Sequence, residues 1–132
     1  MIGLVLITHG RLGRELINAA EIILGRIDKV ECISIEPNLE PESLHRMLVK
    51  AMDKVNHGSG VLILTDMFGG TPNNISLAFL EQDKVEVVTG VNLPMVIKAA
   101  TAREGKGLAE LARLVGDSGR DSISIAGEIL TS

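Results

Sequence analysis

Four short apolar runs, each followed by a stretch with helical spacing, constrain what this chain can fold into. The runs are Ile2 to Ile7, Val30 to Ile35, Val61 to Leu64 and Lys84 to Thr89. The first is apolar throughout, the pattern of a strand buried on both faces. After it, Leu12, Leu16, Ala19, Ala20 and Ile23 recur every three to four residues, and Gly25 is placed to end that helix. Leu44, Leu48, Ala51 and Val55 give a second helix. A short third is expected from Asn73 to Leu80, a fourth with Asn92 as its cap and Pro94 in its first turn that continues through Met95 to Ala102, and a fifth through Leu108, Leu111, Ala112 and Val115. Strands alternating with helices through short connections predict an α/β fold. The expected sheet is single, open, doubly wound and mostly parallel, with helices on both faces and the flavodoxin-like order 2-1-3-4. Ser122 to Gly127 alternates apolar and polar, which predicts a C-terminal antiparallel edge strand or one exchanged with a second subunit.

Composition narrows the classes of function. With 132 residues, the chain reads as one domain spanning 1–132, large enough to bury roughly 70% of its unfolded surface without disulfides. Aromatic residues make up only 2%, so platforms for stacking bases are nearly absent, and the formal charge of −4 argues against a nucleic-acid partner. Cys32 is the only cysteine and most simply a core residue; it fits a reducing compartment. No apolar run reaches the ~20 residues of a membrane helix, and no secretory signal pattern opens the chain. These features predict a cytoplasmic protein without direct membrane insertion. The phosphate-binding G-x-x-x-x-G-K-[ST] and dinucleotide G-x-G-x-x-G patterns are absent. Three scattered histidines and one cysteine do not supply a zinc site, so neither metal nor cofactor is expected.

Chemistry is concentrated at two strand ends. The first strand runs into Thr8-His9-Gly10, and the third into Thr65-Asp66-Met67-Phe68-Gly69-Gly70-Thr71-Pro72-Asn73. In the order 2-1-3-4 these ends flank the switch point where open sheets bind ligands. A carboxylate bonded to one imidazole nitrogen sets the tautomer and leaves the other nitrogen as a nucleophile. Backbone amides about Gly69, Gly70 and Thr71, with the Thr71 hydroxyl, suit an anion such as a phosphoryl group. Each part alone has a plainer reading: His9 as a bonded loop residue, Asp66 as a turn cap, Gly69-Gly70 as a chain reversal. His45 and His57 are assigned no chemistry.

The segments Leu6 to Gly10, Leu62 to Asn73 and Thr89 to Met95 together closely resemble the mannose-family enzyme IIA domain of the bacterial phosphoenolpyruvate-dependent sugar phosphotransferase system. The likeness covers essentially the whole chain. It implies that His9 is the phosphorylated nucleophile, that Asp66 orients and stabilises it, and that Thr71 stands where serine is common. It also implies that Asn92 and Pro94 flank the site, as Thr8, Thr65 and Phe68 are expected to by position. HPr is the implied phosphoryl donor and a IIB protein the implied acceptor, with association to a membrane permease complex through that partner. The resemblance further implies a homodimer that exchanges its final strand. No IIB module or Ala/Pro-rich linker is read in the 132 residues, so either a stand-alone IIA or an isolated IIA domain of a longer protein is expected. Two other readings compete: a phosphorylation-dependent regulatory module, and the phosphocarrier subunit of a dihydroxyacetone kinase system.

Overall fold

The computed structural model describes residues 1–67 and 71–131, with backbone alone at 71–73. In chain order the elements are β1 (Gly3–His9), α1 (Leu12–Leu24), β2 (Val30–Ile35), α2 (Pro41–Val55), β3 (Val61–Thr65), α3 (Thr71–Leu77), β4 (Val85–Thr89), α4 (Leu93–Ala102), α5 (Leu108–Asp121) and α6 (Ala126–Leu130). The four strands form one sheet, β2-β1-β3-β4, and every neighbouring pair is parallel. This is the order expected from the alternation of apolar runs and helices.

Strand alternation divides the interior into two cores. Leu4, Leu6, Leu62 and Leu64 face one way and pack with Ile17 and Ala20 of α1, Val96 and Ala99 of α4, and Leu111 and Val115 of α5. Val5, Ile7, Val61 and Ile63 face the other way, onto Leu44, Leu48, Ala51 and Val55 of α2. Both faces of β1 and β3 are therefore covered, which is why their sequences are apolar without interruption. Packing at the lower end of β1 is tight enough to demand glycine: a Cβ on Gly3 would stand 2.5 Å from the Val55 carbonyl oxygen.

Local signals account for the helix ends. Gly25, at φ 84°, closes α1, and its amide donates to Glu21 at 2.8 Å. Pro41 and Pro94 stand in the first turns of α2 and α4, where a missing N–H leaves no bond unmade. Asn92 caps α4 by accepting from the Met95 amide at 3.1 Å, so that helix starts at Leu93 with Pro94 in its first turn, as the Asn-Leu-Pro segment predicts. The third helix begins at Thr71 instead of Asn73, and past Leu77 its backbone tightens. Ala78, Phe79 and Leu80 each donate to the carbonyl three residues earlier.

One form of the C-terminal expectation is not met: no antiparallel edge strand joins this chain's own sheet, and the chain leaves α5, crosses 123–125 without a sheet partner among the described residues, and coils into α6. Alternation alone makes no strand, because each backbone group needs a neighbouring ladder. With none, Glu128 and Ile129 donate back to the Ile125 carbonyl, and Ile123, Ile125 and Leu130 stay exposed. Among the described residues no helix is long and apolar enough to cross a membrane.

Candidate functional site

Parallel pairing brings the ends of β1 and β3 side by side, with Ile7 opposite Thr65, so the next residues out are neighbours. His9 and Asp66, far apart in the chain, meet there. One oxygen of Asp66, Oδ2, accepts from the His9 amide at 2.9 Å and lies 2.9 Å from the ring Nδ1. The His9 side chain is 52% exposed, whereas that of Asp66 is only 12% exposed. A half-open imidazole is thus held from its protected side.

The electrostatics of the pair set the tautomer. Burial by itself would push the Asp66 carboxyl up. The hydrogen bonds from the His9 amide and ring more than reverse this and hold it below the ordinary aspartate range. An ionised carboxylate only accepts, so Nδ1 carries the proton and Nε2 the lone pair. The second carboxylate oxygen, Oδ1, is buried with no hydrogen-bond partner among the described residues.

Backbone geometry fixes where the ring starts from. Gly10, at φ 55°, turns the chain out of β1 in a conformation costly for other residues, and its amide donates to the Ile35 carbonyl at 2.9 Å. Beside it, His9, Gly10, Ile35, Glu36, Pro37 and Leu39 line a hollow of about 510 Å³. The part played by the β2–α2 loop escaped the sequence reading, although a signal existed. In the order 2-1-3-4 the end of β2 must lie against the end of β1, and His9 is the register partner of Ile35.

The remaining candidates fall into three groups. Thr8 and Thr65 are fully buried, and Thr8 Oγ1 accepts from the Gly13 amide at 2.6 Å. Asn92 and Pro94 shape the start of α4 and do not line the His9 hollow; Asn92 Nδ2 donates to the Gly119 carbonyl at 3.2 Å. The loop is nonetheless tied to the end of β3, because the Val91 amide donates to Thr65 at 2.9 Å. Phe68, Gly69 and Gly70 lie outside the described residues, as does the side chain of Thr71, whose backbone opens α3. The two histidines assigned no chemistry lie elsewhere: His45 packs on Phe79 with ring centroids 4.8 Å apart, and His57 follows the end of α2. Burial pushes the Cys32 thiol up, keeping it protonated within the wall behind α1.

Fold and geometry together describe a doubly wound α/β domain that presents an oriented histidine at its switch point. Known proteins place that class more narrowly. Residues 3–115 match the family model EIIA-man, described as the PTS system fructose IIA component. The mannose-specific EIIAB component of the Escherichia coli PTS (strain K12) is 32% identical over 124 residues, covering 92% of this chain and 38% of that protein. The chain therefore spans well under half of that relative. Phosphotransferase system component EIIA from Streptococcus agalactiae has a similar structure, with TM-score 0.88 at 25% identity, covering 97% of this chain and 99% of that one. The mannose/sorbose-specific IIA subunit from Enterococcus faecalis gives TM-score 0.85 at 25% identity, with 94% and 93% covered. The chain belongs to the EIIA-man family of phosphotransferase-system IIA components.

Proposed function

We propose that this chain is a phosphocarrier that takes a phosphoryl group onto Nε2 of His9 from phospho-HPr and passes it to a histidine of a IIB protein. The observation that carries the reading is the 2.9 Å contact from His9 Nδ1 to Asp66 Oδ2 beneath a half-exposed ring. In the forward step the Nε2 lone pair attacks phosphorus. The bond from phosphorus to the donor nitrogen breaks, and that nitrogen keeps the electron pair. His9 becomes cationic as its N–P bond forms, and the Asp66 carboxylate stabilises that charge through the Nδ1 proton. The amides of Gly69 and Gly70 and the Thr71 hydroxyl are assigned the phosphoryl oxygens, on the strength of the Gly-Gly-Thr-Pro sequence at a helix start. The acceptor step is the same displacement with roles exchanged, and both occur in the cytoplasm.

The test is labelling with phosphoenolpyruvate, enzyme I and HPr. Wild-type protein should gain an acid-labile, base-stable label, and His9→Ala should gain none while keeping its circular dichroism spectrum. An unlabelled wild type, or a fully labelled His9→Ala, overturns the reading. Homodimerisation belongs to the same proposal, supported by the exposed Ile123, Ile125, Ile129 and Leu130 beyond α5. Light scattering that finds only monomer removes it.

A further inference from the structure

The buried hydroxyl of Thr8 does something the sequence does not announce. Helix α1 starts without a side-chain cap: Arg11, at the capping position, makes no such bond. The first amides of any helix lack intrahelical partners. For α1, the Gly13 amide is met from outside the helix, by Thr8 Oγ1 at 2.6 Å. Thr8 continues the Leu4–Leu6 face of β1 and is fully buried, so water cannot replace it. Gly13 is fitted to this contact. A Cβ there would stand 2.9 Å from the hydroxyl and 3.0 Å from the Cys32 sulfur.

The bond closes the turn that carries His9. Between Thr8 and Gly13 the chain makes one reversal, pinned by His9 N to Asp66, Gly10 N to Ile35 and Gly13 N to Thr8. The first two pins are on the site side of the turn, at its surface. The third is its interior footing. Among the described residues the His9 ring has one side-chain bond, to Asp66, so its direction depends on where residue 9 sits in the backbone.

We infer that Thr8 is a positioning residue for phosphoryl transfer: by capping α1 from β1, its hydroxyl holds the His9 backbone where Nδ1 meets Asp66 and Nε2 faces the incoming phosphorus. Thr8 touches no reacting atom. The inference rests on the phosphocarrier reading for its rate effect, but not for its effect on the ring.

The test uses the full chain with Thr8→Val, which keeps shape and loses the acceptor, and Thr8→Ser, which keeps the acceptor. Phosphorylation by phospho-HPr is resolved into kcat and KM, ¹⁵N spectra report the protonated nitrogen of His9, and calorimetry records Tm. Thr8→Val should lower kcat about tenfold, with KM within about twofold, because a displaced nucleophile loses alignment more than docking. Its His9 spectrum should show mixed tautomers in place of one. Thr8→Ser should restore rate and spectrum even if its Tm stays low. A folded Thr8→Val with wild-type kcat and ring spectrum overturns the inference, as does a Thr8→Ser equally impaired in both. Should Thr8→Val not fold, Gly13→Ala, whose methyl forces the hydroxyl back by a few tenths of an ångström, carries the same expectation. If no donor phosphorylates wild type, the phosphocarrier reading fails, and the ring spectra still decide the role of Thr8.

Discussion

The two ends of the sheet use charged side chains in opposite ways. At the carboxyl ends of the strands, His9 is half exposed and held by one carboxylate oxygen. At the amino ends, Arg103 is 4% exposed and turns both of its Nη groups to main-chain carbonyls, while its buried Nε has no partner among the described residues. Its Nη1 donates to Ile2 at 3.2 Å and to Lys29 at 3.3 Å, and its Nη2 donates to Asp28. Lys29 sits at φ 53°, a left-handed conformation unusual for a residue with a side chain, and its carbonyl also receives the Leu4 amide at 3.0 Å. The guanidinium therefore stabilises a strained turn into β2. One end presents a half-exposed ring nitrogen, to which the proposed function assigns the phosphoryl group, whereas the other directs its charge into structure.

That contrast is sharpest where the expected loss is largest. Asp66→Ala should slow phosphorylation of His9 by about a hundredfold, because the tautomer is no longer set and the cationic ring loses its counter-charge. The variant should lose only about 1 kcal/mol of stability by urea unfolding, little beside its loss in rate. Stopped-flow or quench-flow transfer from phospho-HPr measures the first quantity, and urea titration the second. A large stability loss with normal transfer would make the upper end as structural as the lower one.

Arg103→Leu should do the reverse. It removes the partner of three carbonyls, that of Ile2 buried and those of Lys29 and Asp28 partly so, and should cost about 2–4 kcal/mol of stability. Leucine keeps the apolar stem, and the site lies at the far end of the sheet. Transfer by the folded fraction should stay within about twofold of wild type, since distant sites act nearly independently. A variant as stable as wild type would show that the carbonyls find other partners.

The ends also differ in how far they could be read from sequence. His9 and Asp66 were legible because each follows an uninterrupted apolar run, and strand order then makes them neighbours. Nothing local marks Arg103: it follows an ordinary helix, and its partners are main-chain atoms about a hundred and about seventy-five residues away. Thr8 was visible as a neighbour of His9, but its bond to Gly13 depends on how closely α1 returns to β1. The β2–α2 loop was deducible from register yet carries no motif. The last segment differs for another reason: its alternation specifies a strand only where a ladder exists to receive it, and this chain's own sheet supplies none.

The smallest effect tests why the upper pair holds together at all. Asp66 in the folded protein sits below its ordinary range, which the unfolded chain regains at a pKa of about 3.9. A depressed carboxyl contributes stability that is complete above the unfolded value and is lost as pH falls through the lower folded one. Wild type should therefore exceed Asp66→Ala by about 1 kcal/mol near pH 7, the scale of a net hydrogen bond with charge assistance partly screened. The gap should persist at pH 5 and close below about pH 4. Urea unfolding of both proteins at pH 7, 5 and 3 measures it. A gap that stays constant at pH 3 would mean that the carboxyl holds His9 by shape and neutral bonding, not by charge. The Asp66 end would then resemble the Arg103 end, a fixture of the fold whose ionisation is incidental.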